Sequence, residues 1–321
     1  MMFTVAIPAF KGKFLHEAIA SVLDQTYEDF ELVIVDDCSP DNLSAIVSAF
    51  RNPRIRYYCN ERNCGAEHVV DNWNRCLSYA HGDYLICMGD DDRMLPNCLA
   101  DLANIINKYP NLDIYYSRTQ LIDESSVVIK TFEKRPEWES VYEMIWNRWH
   151  GGSMFIGDYC YRTADLRKRG GFYKLPFAWG SDAISAYEAG RNGGIANTAD
   201  PGFQYRINRL SISSHSGNVE GKVNALLLER GWFESFFAKK PTNERDQQLL
   251  NDLQLMFRSH FVHMLSSDII YAIHKHPFSQ IPFWVKRRET VGLRRMEMLK
   301  CIIHGLFGII SVPLKSGPVK Y

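Results

Sequence analysis

Three consecutive aspartates, Asp90, Asp91 and Asp92, follow the apolar run 84–88. Carboxylates this close together repel one another, and a bound cation removes that penalty. Mg²⁺ or Mn²⁺ suits such a cluster, because a hard divalent ion takes oxygen ligands from one or two carboxylates and completes its shell with substrate phosphates. The alternative interpretation is a solvated acidic turn ahead of the helix that begins near Asn97.

The elements around these aspartates help to choose between the two interpretations. Strand-like runs at 3–7, 30–35, 55–58 and 84–88 alternate with helical patterns at 14–23, 43–50 and 66–80. This alternation predicts an α/β fold, a mostly parallel sheet wound with helices. A second acidic pair, Asp36 and Asp37, follows the strand 30–35, and ligands of such sheets bind where the strands end. Both acidic groups are therefore expected at one edge of the sheet, which favours a metal–diphosphate site.

Composition narrows the function classes. Lys plus Arg and Asp plus Glu number 37 each in 321 residues, so no global field favours nucleic acid as a partner. The absence of GxGxxG after the first strand and of GxxxxGK[ST] disfavours a nicotinamide dehydrogenase and a P-loop NTPase. Eight cysteines without a CxxC pair are predicted to be small buried residues of a protein in a reducing compartment.

The last hundred residues change to helical patterns. Within 281–313, six cations precede a short apolar run, which is typical of a helix lying on an anionic membrane; packing on the catalytic domain or on a second subunit is the alternative. Without a signal-peptide pattern or a segment of about 20 apolar residues, we expect a cytoplasmic protein, peripheral on the inner membrane. The oligomeric state stays open.

Two stretches, 7–42 and 72–96, together with the N-x-G element at 63–65, resemble family 2 glycosyltransferases, which have the GT-A fold. The resemblance implies a GT-A domain over 1–215, with a nucleotide-binding half at 1–96 and an acceptor half at 97–215. Residues 216–321 are then a helical C-terminal extension. The family is common in bacterial surface-polysaccharide assembly, which suggests a glycan or lipid-linked sugar as acceptor.

The resemblance also implies roles for the matching positions. Asp37 would accept the N3–H of uracil or thymine, and Asp36 would support that loop or the ribose. Gly89 stands where the family often has an aspartate, and we favour Asp90 and Asp92 as metal ligands, with Asp91 close behind. The positions that the resemblance assigns to the nucleotide are Pro8, Ala9, Phe10, Asp36, Asp37, Asn63, Gly65, Asp90 and Asp91, and those assigned to the metal are Asp90, Asp91 and Asp92.

Transfer to a sugar hydroxyl needs a base, and the family places one at the start of a helix. Asp182, ahead of the helical run 183–189, is the candidate; a carboxylate that merely complements the helix dipole is the alternative, and Asp158 and Asp165 are rivals. Trp179 and Trp149 could stack on an acceptor sugar or belong to the core. Arg206 and Arg209 could reach the diphosphate or lie on the surface.

These expectations describe an inverting glycosyltransferase that moves a sugar from a nucleoside-diphosphate sugar, expected to be a UDP-sugar, to a glycan or lipid-linked hydroxyl. A nucleotidyltransferase that makes nucleotide-sugars is one rival, although residues 8–13 match its glycine-rich loop poorly. A non-catalytic scaffold that binds nucleotide-sugars is the other.

Overall fold

A computed structural model describes residues 1–208 and 218–308. The strands are β1 (Phe3–Ala9), β2 (Phe30–Asp36), β3 (Ile55–Cys59), β4 (Tyr84–Cys87), β5 (Arg93–Met94), β6 (Ile114–Ile122), β7 (Val128–Thr131), β8 (Trp138–Glu139), β9 (Tyr159–Arg162) and β10 (Ile195–Arg206). The helices are α1 (Leu15–Leu23), α2 (Leu43–Ser48), α3 (Val69–Tyr79), α4 (Cys98–Lys108), α5 (Val141–Trp149), α6 (Thr163–Lys168), α7 (Ser181–Gly190), α8 (Val219–Phe237), α9 (Glu244–Lys275), α10 (Pro277–Arg287) and α11 (Arg295–Phe307).

One sheet runs through the first two hundred residues in the order β3-β2-β1-β4-β9-β6-β10-β5, with β7 beside β6 and β8 beside β10. The first four strands are parallel, as predicted. In the second half only β6 and β10 pair in parallel, whereas β9 is antiparallel to both β4 and β6. The sheet is therefore parallel from β1 to β4 and mixed beyond them, with β5 also antiparallel to β10. Apolar patterns predict a strand but not its direction.

The parallel strands have no polar face because they lie between two apolar layers. Phe3, Val5 and Ile7 of β1 pack into the layer that contains α1, α2 and α4. Ala6 points to the opposite layer, which contains α3, α5 and α7. Helices thus cover both faces of the sheet, as the alternating pattern predicts.

The chain after β10 forms a helical extension, α8 to α11. Its first helix packs on the sheet domain, since Trp232 and Phe233 of α8 belong to the layer beneath α5 and α7. A third apolar layer, which includes Trp284 and Met298, joins α8 and α9 to α10 and α11. The expected domain boundary at 215/216 lies outside the described residues.

The C-terminal helix α11 is apolar on two sides. Met298, Cys301 and Gly305 are buried against the rest of the extension. The large apolar residues that it exposes are Met296, Leu299, Ile303, Leu306 and Phe307. Within the two described ranges, no helix is both long and apolar enough to cross a membrane.

Candidate active site

Hydrogen bonds join the carboxyl ends of β1, β2 and β4, where the sequence places its acidic groups. The backbone N–H groups of Phe10 and Lys11 both donate to Asp90 Oδ2, each at 2.7 Å. The N–H of Asp37 donates to the carbonyl of Ala9 at 2.8 Å. The structure therefore brings the predicted nucleotide-binding residues of three separate strands to one edge of the sheet.

Asp37 holds the loop that contains the N-x-G element. Its carboxylate accepts the Cys64 N–H at 3.0 Å from each oxygen and the Asn60 side-chain amide at 2.8 Å. Within the loop, the Gly65 N–H donates to the side chain of Asn63. Gly65 has φ +76°, a conformation that glycine adopts without strain. The loop is thus fixed against the end of β2.

Asp36 lies at the same edge of the sheet and is held there by two hydrogen bonds. It accepts a hydrogen bond from the Tyr57 hydroxyl at 2.5 Å and one from the Ser39 N–H at 2.7 Å. Burial and the neighbouring Asp36 carboxylate raise the pKa of the Tyr57 phenol, so the hydroxyl stays a donor. The Ser39 hydroxyl in turn donates to the Phe10 carbonyl, and the Phe10 side chain is 39% exposed beside partly buried Pro8.

Asp92 is an inward-facing anchor of the acidic loop. It is 2% exposed and accepts the backbone N–H of Gly89 at 3.3 Å and that of Arg206 at 2.9 Å. Burial, and then the charge of Asp91, raise the pKa of Asp92. Asp92 is therefore committed to holding the loop.

Asp91 is the most exposed of the three aspartates. Its Oδ2 lies 2.7 Å from the Asn208 amide and 3.4 Å from Lys11 Nζ, and its side chain is 13% exposed. Asp90 is 5% exposed, and burial, followed by the charge of Asp91, raises its pKa to about 6 while Lys11 opposes the shift. Lys11 thus stands beside two carboxylates as their counter-ion.

These contacts test the metal prediction. Among the residues that the structure describes, no three His, Cys, Asp or Glu side chains form a ready-made cage for a metal. Asp91 and Asp90 could still supply the one or two carboxylates that Mg²⁺ or Mn²⁺ needs when a diphosphate provides the remaining ligands. Both oxygens of Asp92 already accept backbone hydrogen bonds, which favours Asp91 beside Asp90 over the expected pair Asp90 and Asp92. The identity of the metal ligands stays a prediction.

Gly89 is explained by the same loop. A Cβ atom at this position would stand 2.8 Å from Asp91 Oδ1 and 2.9 Å from Asp92 Oδ2. The compact turn therefore leaves no room for the aspartate that the family often has there.

Arg206 is a scaffold of the acidic loop, which corrects its assignment to the diphosphate. Its side chain is fully buried, with Nε donating to the Asp91 carbonyl at 2.7 Å. The other guanidinium nitrogens donate to Glu17 Oε2 at 2.9 Å and to Ser126 Oγ at 3.0 Å. The Phe14 ring lies 4.3 Å from the guanidinium carbon. A group so enclosed cannot reach a substrate phosphate.

Asp182 lies in the first turn of α7, two residues after Gly180, whose φ is +86°. The side chain is partly buried and accepts the Ala183 N–H at 2.8 Å. Burial raises the pKa of Asp182 to about 6, and the charge of Arg148 opposes this shift. A carboxyl group with this pKa is ionised at neutral pH and can accept a proton, which is what a general base requires.

The rival aspartates have structural roles. Asp158 is fully buried and accepts hydrogen bonds from the Thr119 hydroxyl and, at 2.8 Å, from the Phe155 N–H. Burial raises its pKa to about 7. Asp165 of α6 is ion-paired with Arg169, which directly follows that helix. Asp158 is sealed from any acceptor, and Asp165 is held by this ion pair.

The two tryptophans expected at the acceptor, Trp149 and Trp179, differ in burial. Trp149 is 7% exposed and stacks on His260 with 4.2 Å between ring centroids, so its assignment to the acceptor was wrong and it belongs to the core. Trp179 is partly buried, with Lys222 Nζ 4.5 Å from its ring centroid. Arg209 lies outside the described residues.

The prediction of buried cysteines is confirmed for five of the eight residues. Cys76, Cys87, Cys98, Cys160 and Cys301 are buried. Cys64 is partly buried, and Cys38 and Cys59 are exposed. Cys38 follows the acidic pair, and Cys59 is the register partner of Asp36 at the end of β3.

Sequence reasoning missed the groups that hold the carboxylates. Of these groups, Lys11 had the clearest sequence signal, because it follows Pro8, Ala9 and Phe10, which were already assigned to the nucleotide. Asn60 and Asn208 gave no signal, since single amides in loops are common. Arg148, whose charge acts on Asp182, lies in α5, where only Trp149 was assigned a role from the sequence.

An α/β sheet whose strand ends collect an acidic pair and an acidic triad is the architecture of an enzyme that handles nucleoside diphosphates. Comparison with known sequences makes this specific: the family model for glycosyl transferase family 2 matches residues 4–164, about half of the chain. The chain belongs to this family.

Relatives and solved structures agree with the family. The glucosyltransferase WfgD of Escherichia coli, which uses UDP-Glc and α-D-GlcNAc-diphosphoundecaprenol, is 30% identical over 128 residues, 40% of this chain and 49% of WfgD. An uncharacterized glycosyltransferase of Rickettsia typhi is 26% identical over 171 residues, and the match spans 52% of its length. The chain thus matches about half the length of these relatives.

Two solved structures align with nearly all of the chain. TarS of Staphylococcus aureus, in complex with UDP-GlcNAc, aligns with a TM-score of 0.66 and 18% identity over 96% of this chain and 91% of that chain. The mannosyltransferase PcManGT of Pyrobaculum calidifontis, in complex with GDP-Man and Mn²⁺, aligns with a TM-score of 0.53 and 14% identity over 95% and 87%. The predicted GT-A fold, including a helical C-terminal region, is confirmed.

The buried position of Arg206 predicts a large effect on stability. Arg206→Met keeps most of the side-chain volume but removes the hydrogen bonds to Asp91, Glu17 and Ser126, and should lower the free energy of unfolding by about 2–4 kcal/mol in urea titrations. Arg230→Met is the control, because Arg230 forms a partly exposed ion pair with Glu234 on α8 and should change stability by less than about 1 kcal/mol. Equal stabilities of the two variants would contradict the scaffold role.

Proposed function

We propose that this chain is an inverting glycosyltransferase that moves a sugar from a UDP-sugar to a hydroxyl of a glycan or lipid-linked acceptor. The observation that carries the proposal is the joining of three strand ends around Asp37 and Asp90, within the residues that match the family. The complexes of TarS with UDP-GlcNAc and the UDP-Glc donor of WfgD support a uridine nucleotide.

At the donor end, the carboxylate of Asp37 is the group assigned to the uracil N3–H. A carboxylate can accept about four hydrogen bonds, so the contacts with Asn60 and Cys64 leave capacity for the base. The exposed ring of Phe10 and the partly buried Pro8 are the side chains that can line the pocket, whereas Ala9 is fully buried and contributes its backbone.

At the diphosphate, Asp91 and Asp90 are the residues assigned to Mn²⁺ or Mg²⁺. Such an ion, when bound, neutralises the charge that develops on the leaving nucleoside diphosphate. Lys11 lies beside both carboxylates and is placed to do part of the same work on a phosphate oxygen. The Mn²⁺ in the PcManGT complex supports this assignment.

At the acceptor end, Asp182 is the proposed base. It takes the proton of the acceptor hydroxyl while the hydroxyl oxygen bonds to the anomeric carbon, and the bond from that carbon to the diphosphate oxygen breaks on the opposite face. One such displacement inverts the anomeric configuration. Trp179, three residues away and partly buried, is the aromatic side chain available to pack on the acceptor sugar.

Asp182→Asn removes the base without changing the size of the side chain. We expect turnover, measured as UDP release, to fall by about 10²–10⁴-fold while the KM or Kd of the donor changes little. In the wild type, kcat/KM should rise with pH through about 6, because only the ionised carboxylate accepts a proton and its pKa lies there.

Asp165→Asn is the matched control, since Asp165 is a paired aspartate of similar sequence position and should retain full turnover. Undiminished UDP release in Asp182→Asn would place the base elsewhere. Release of pyrophosphate instead of UDP would identify a nucleotidyltransferase.

The proposal includes contact of the extension with a membrane surface. The exposed apolar side of α11 runs through Leu299, Ile303 and Leu306, next to the exposed cations Arg295 and Lys300. An exposed apolar stripe flanked by basic residues suits the headgroup region of an anionic bilayer. The diphosphoundecaprenol-linked acceptor of WfgD supports an acceptor at such a surface.

Replacing Leu299, Ile303 and Leu306 together by serine should weaken binding to anionic phosphatidylglycerol vesicles by about tenfold or more in co-sedimentation, because the three apolar side chains no longer enter the bilayer. Leu255→Ser is the control, as Leu255 is 83% exposed on α9. Equal vesicle binding of the triple variant, the control and the wild type would contradict membrane contact through α11.

A further inference from the structure

The segment before Asp182 has an unusual backbone. Phe177 and Ala178 both have positive φ, at 60° and 55°, and Gly180 follows at 86°. Residues other than glycine rarely have positive φ. Two such residues close together persist only where the surrounding contacts hold them in place. We call residues 177–180 the strained segment.

The first helix of the extension packs along this segment. A Cβ atom on Gly221 would overlap the Phe177 ring, so this ring lies directly on the backbone of α8. One residue further, Lys222 Nζ lies 4.5 Å from the centroid of the Trp179 ring. Two turns along the same face, the carboxyl carbon of Glu229 stands 3.0 Å from where a Cβ atom on Gly180 would be.

Glu229 is also electrostatically linked to the base. Burial raises the pKa of Glu229 to about 7; the charge of Arg148 opposes this shift, and the charge of Asp182 adds to it. Arg148 of α5 acts on Asp182 as well, so one cation faces two carboxyl groups from different elements. The other titratable groups within electrostatic reach of these three are Tyr161 of β9, Tyr187 of α7 and His260 of α9.

The burial of the two tyrosines and of the histidine keeps these side chains uncharged near neutral pH. Burial raises the pKa of both Tyr161 and Tyr187, and it lowers the pKa of His260 to about 3. Of the carboxyl, phenol and imidazole groups named here, those that change charge between pH 5 and 8 are therefore Asp182 and Glu229.

We infer that Glu229 is a positioning residue for the proposed base: its carboxyl group, packed on Gly180, holds the strained segment so that Asp182 faces the acceptor. This inference rests on the proposed function, in which Asp182 is the base. It makes α8 part of the acceptor end of the site and not only a link to the membrane-facing helices.

Two substitutions separate the shape of Glu229 from its charge. Glu229→Ala removes the contact with Gly180, so the segment relaxes; kcat should fall by about 10- to 100-fold with an unchanged donor KM. Glu229→Gln keeps the shape and should restore most of kcat. It should also leave the acidic limb of kcat/KM near pH 6, because Glu229, with a pKa of about 7, is mostly uncharged where Asp182 titrates.

Glu234→Gln is the matched control, since Glu234 lies on the same helix with a side chain 54% exposed and should leave both kcat and the pH profile unchanged. Wild-type kcat in Glu229→Ala would overturn the inference, and so would a kcat in Glu229→Gln as low as that in Glu229→Ala. A donor KM that rises as much as kcat falls would also overturn it, because a residue that positions only the acceptor end should leave donor binding unchanged.

Asp182→Asn, assayed beside these variants, distinguishes failure of the proposed base from failure of the positioning role. If Asp182→Asn is inactive while the Glu229 variants resemble the wild type, only the positioning role fails. If Asp182→Asn turns over normally, the proposed base fails first.

Discussion

Three carboxylates held side by side at the end of β4 impose the constraint on which the rest of the site depends. Their mutual repulsion and partial burial favour protonation or unfolding, unless donors and cations offset the charge. The fold supplies these from distant parts of the chain: backbone N–H groups of Phe10 and Arg206, and the ammonium group of Lys11. β1 and β10 both end beside the acidic loop. The hydrogen bonds of this loop therefore join two strands that are far apart in the sequence.

The three aspartates consequently have different roles. Asp92 anchors the loop, Asp90 ties it to β1, and Asp91 is the one whose carboxylate is most open to a ligand. At the other end of the site, α8 packs on the strained segment ahead of Asp182. Under the proposed roles, the helical extension is joined to the chemistry by Glu229, while α11 exposes apolar and basic residues. In this proposal one extension positions the base and contacts the membrane.

The sequence predicted the parallel half well, because buried strands, short helices and acidic strand ends each have a local pattern. It could not predict the direction of β9 or the burial of Arg206 and Trp149. The local sequence around an arginine or a tryptophan does not show whether a later element covers the side chain. The division of labour among Asp90, Asp91 and Asp92 was also beyond reach, because it depends on an N–H donated by Arg206, 114 residues further along the chain. Glu229 was missed for the same reason: its partner Gly180 lies across a long sequence separation, and a glutamate on a helix normally faces solvent.

We propose that this edge of the sheet binds a nucleoside diphosphate through a divalent ion held by Asp91. Calorimetric titration of UDP with and without Mn²⁺, on the wild type and on Asp91→Asn, tests this binding mode. EDTA should weaken UDP binding to the wild type by at least about tenfold, and Asp91→Asn should bind UDP weakly with or without Mn²⁺. UDP affinity that is the same for both proteins and indifferent to Mn²⁺ would contradict it.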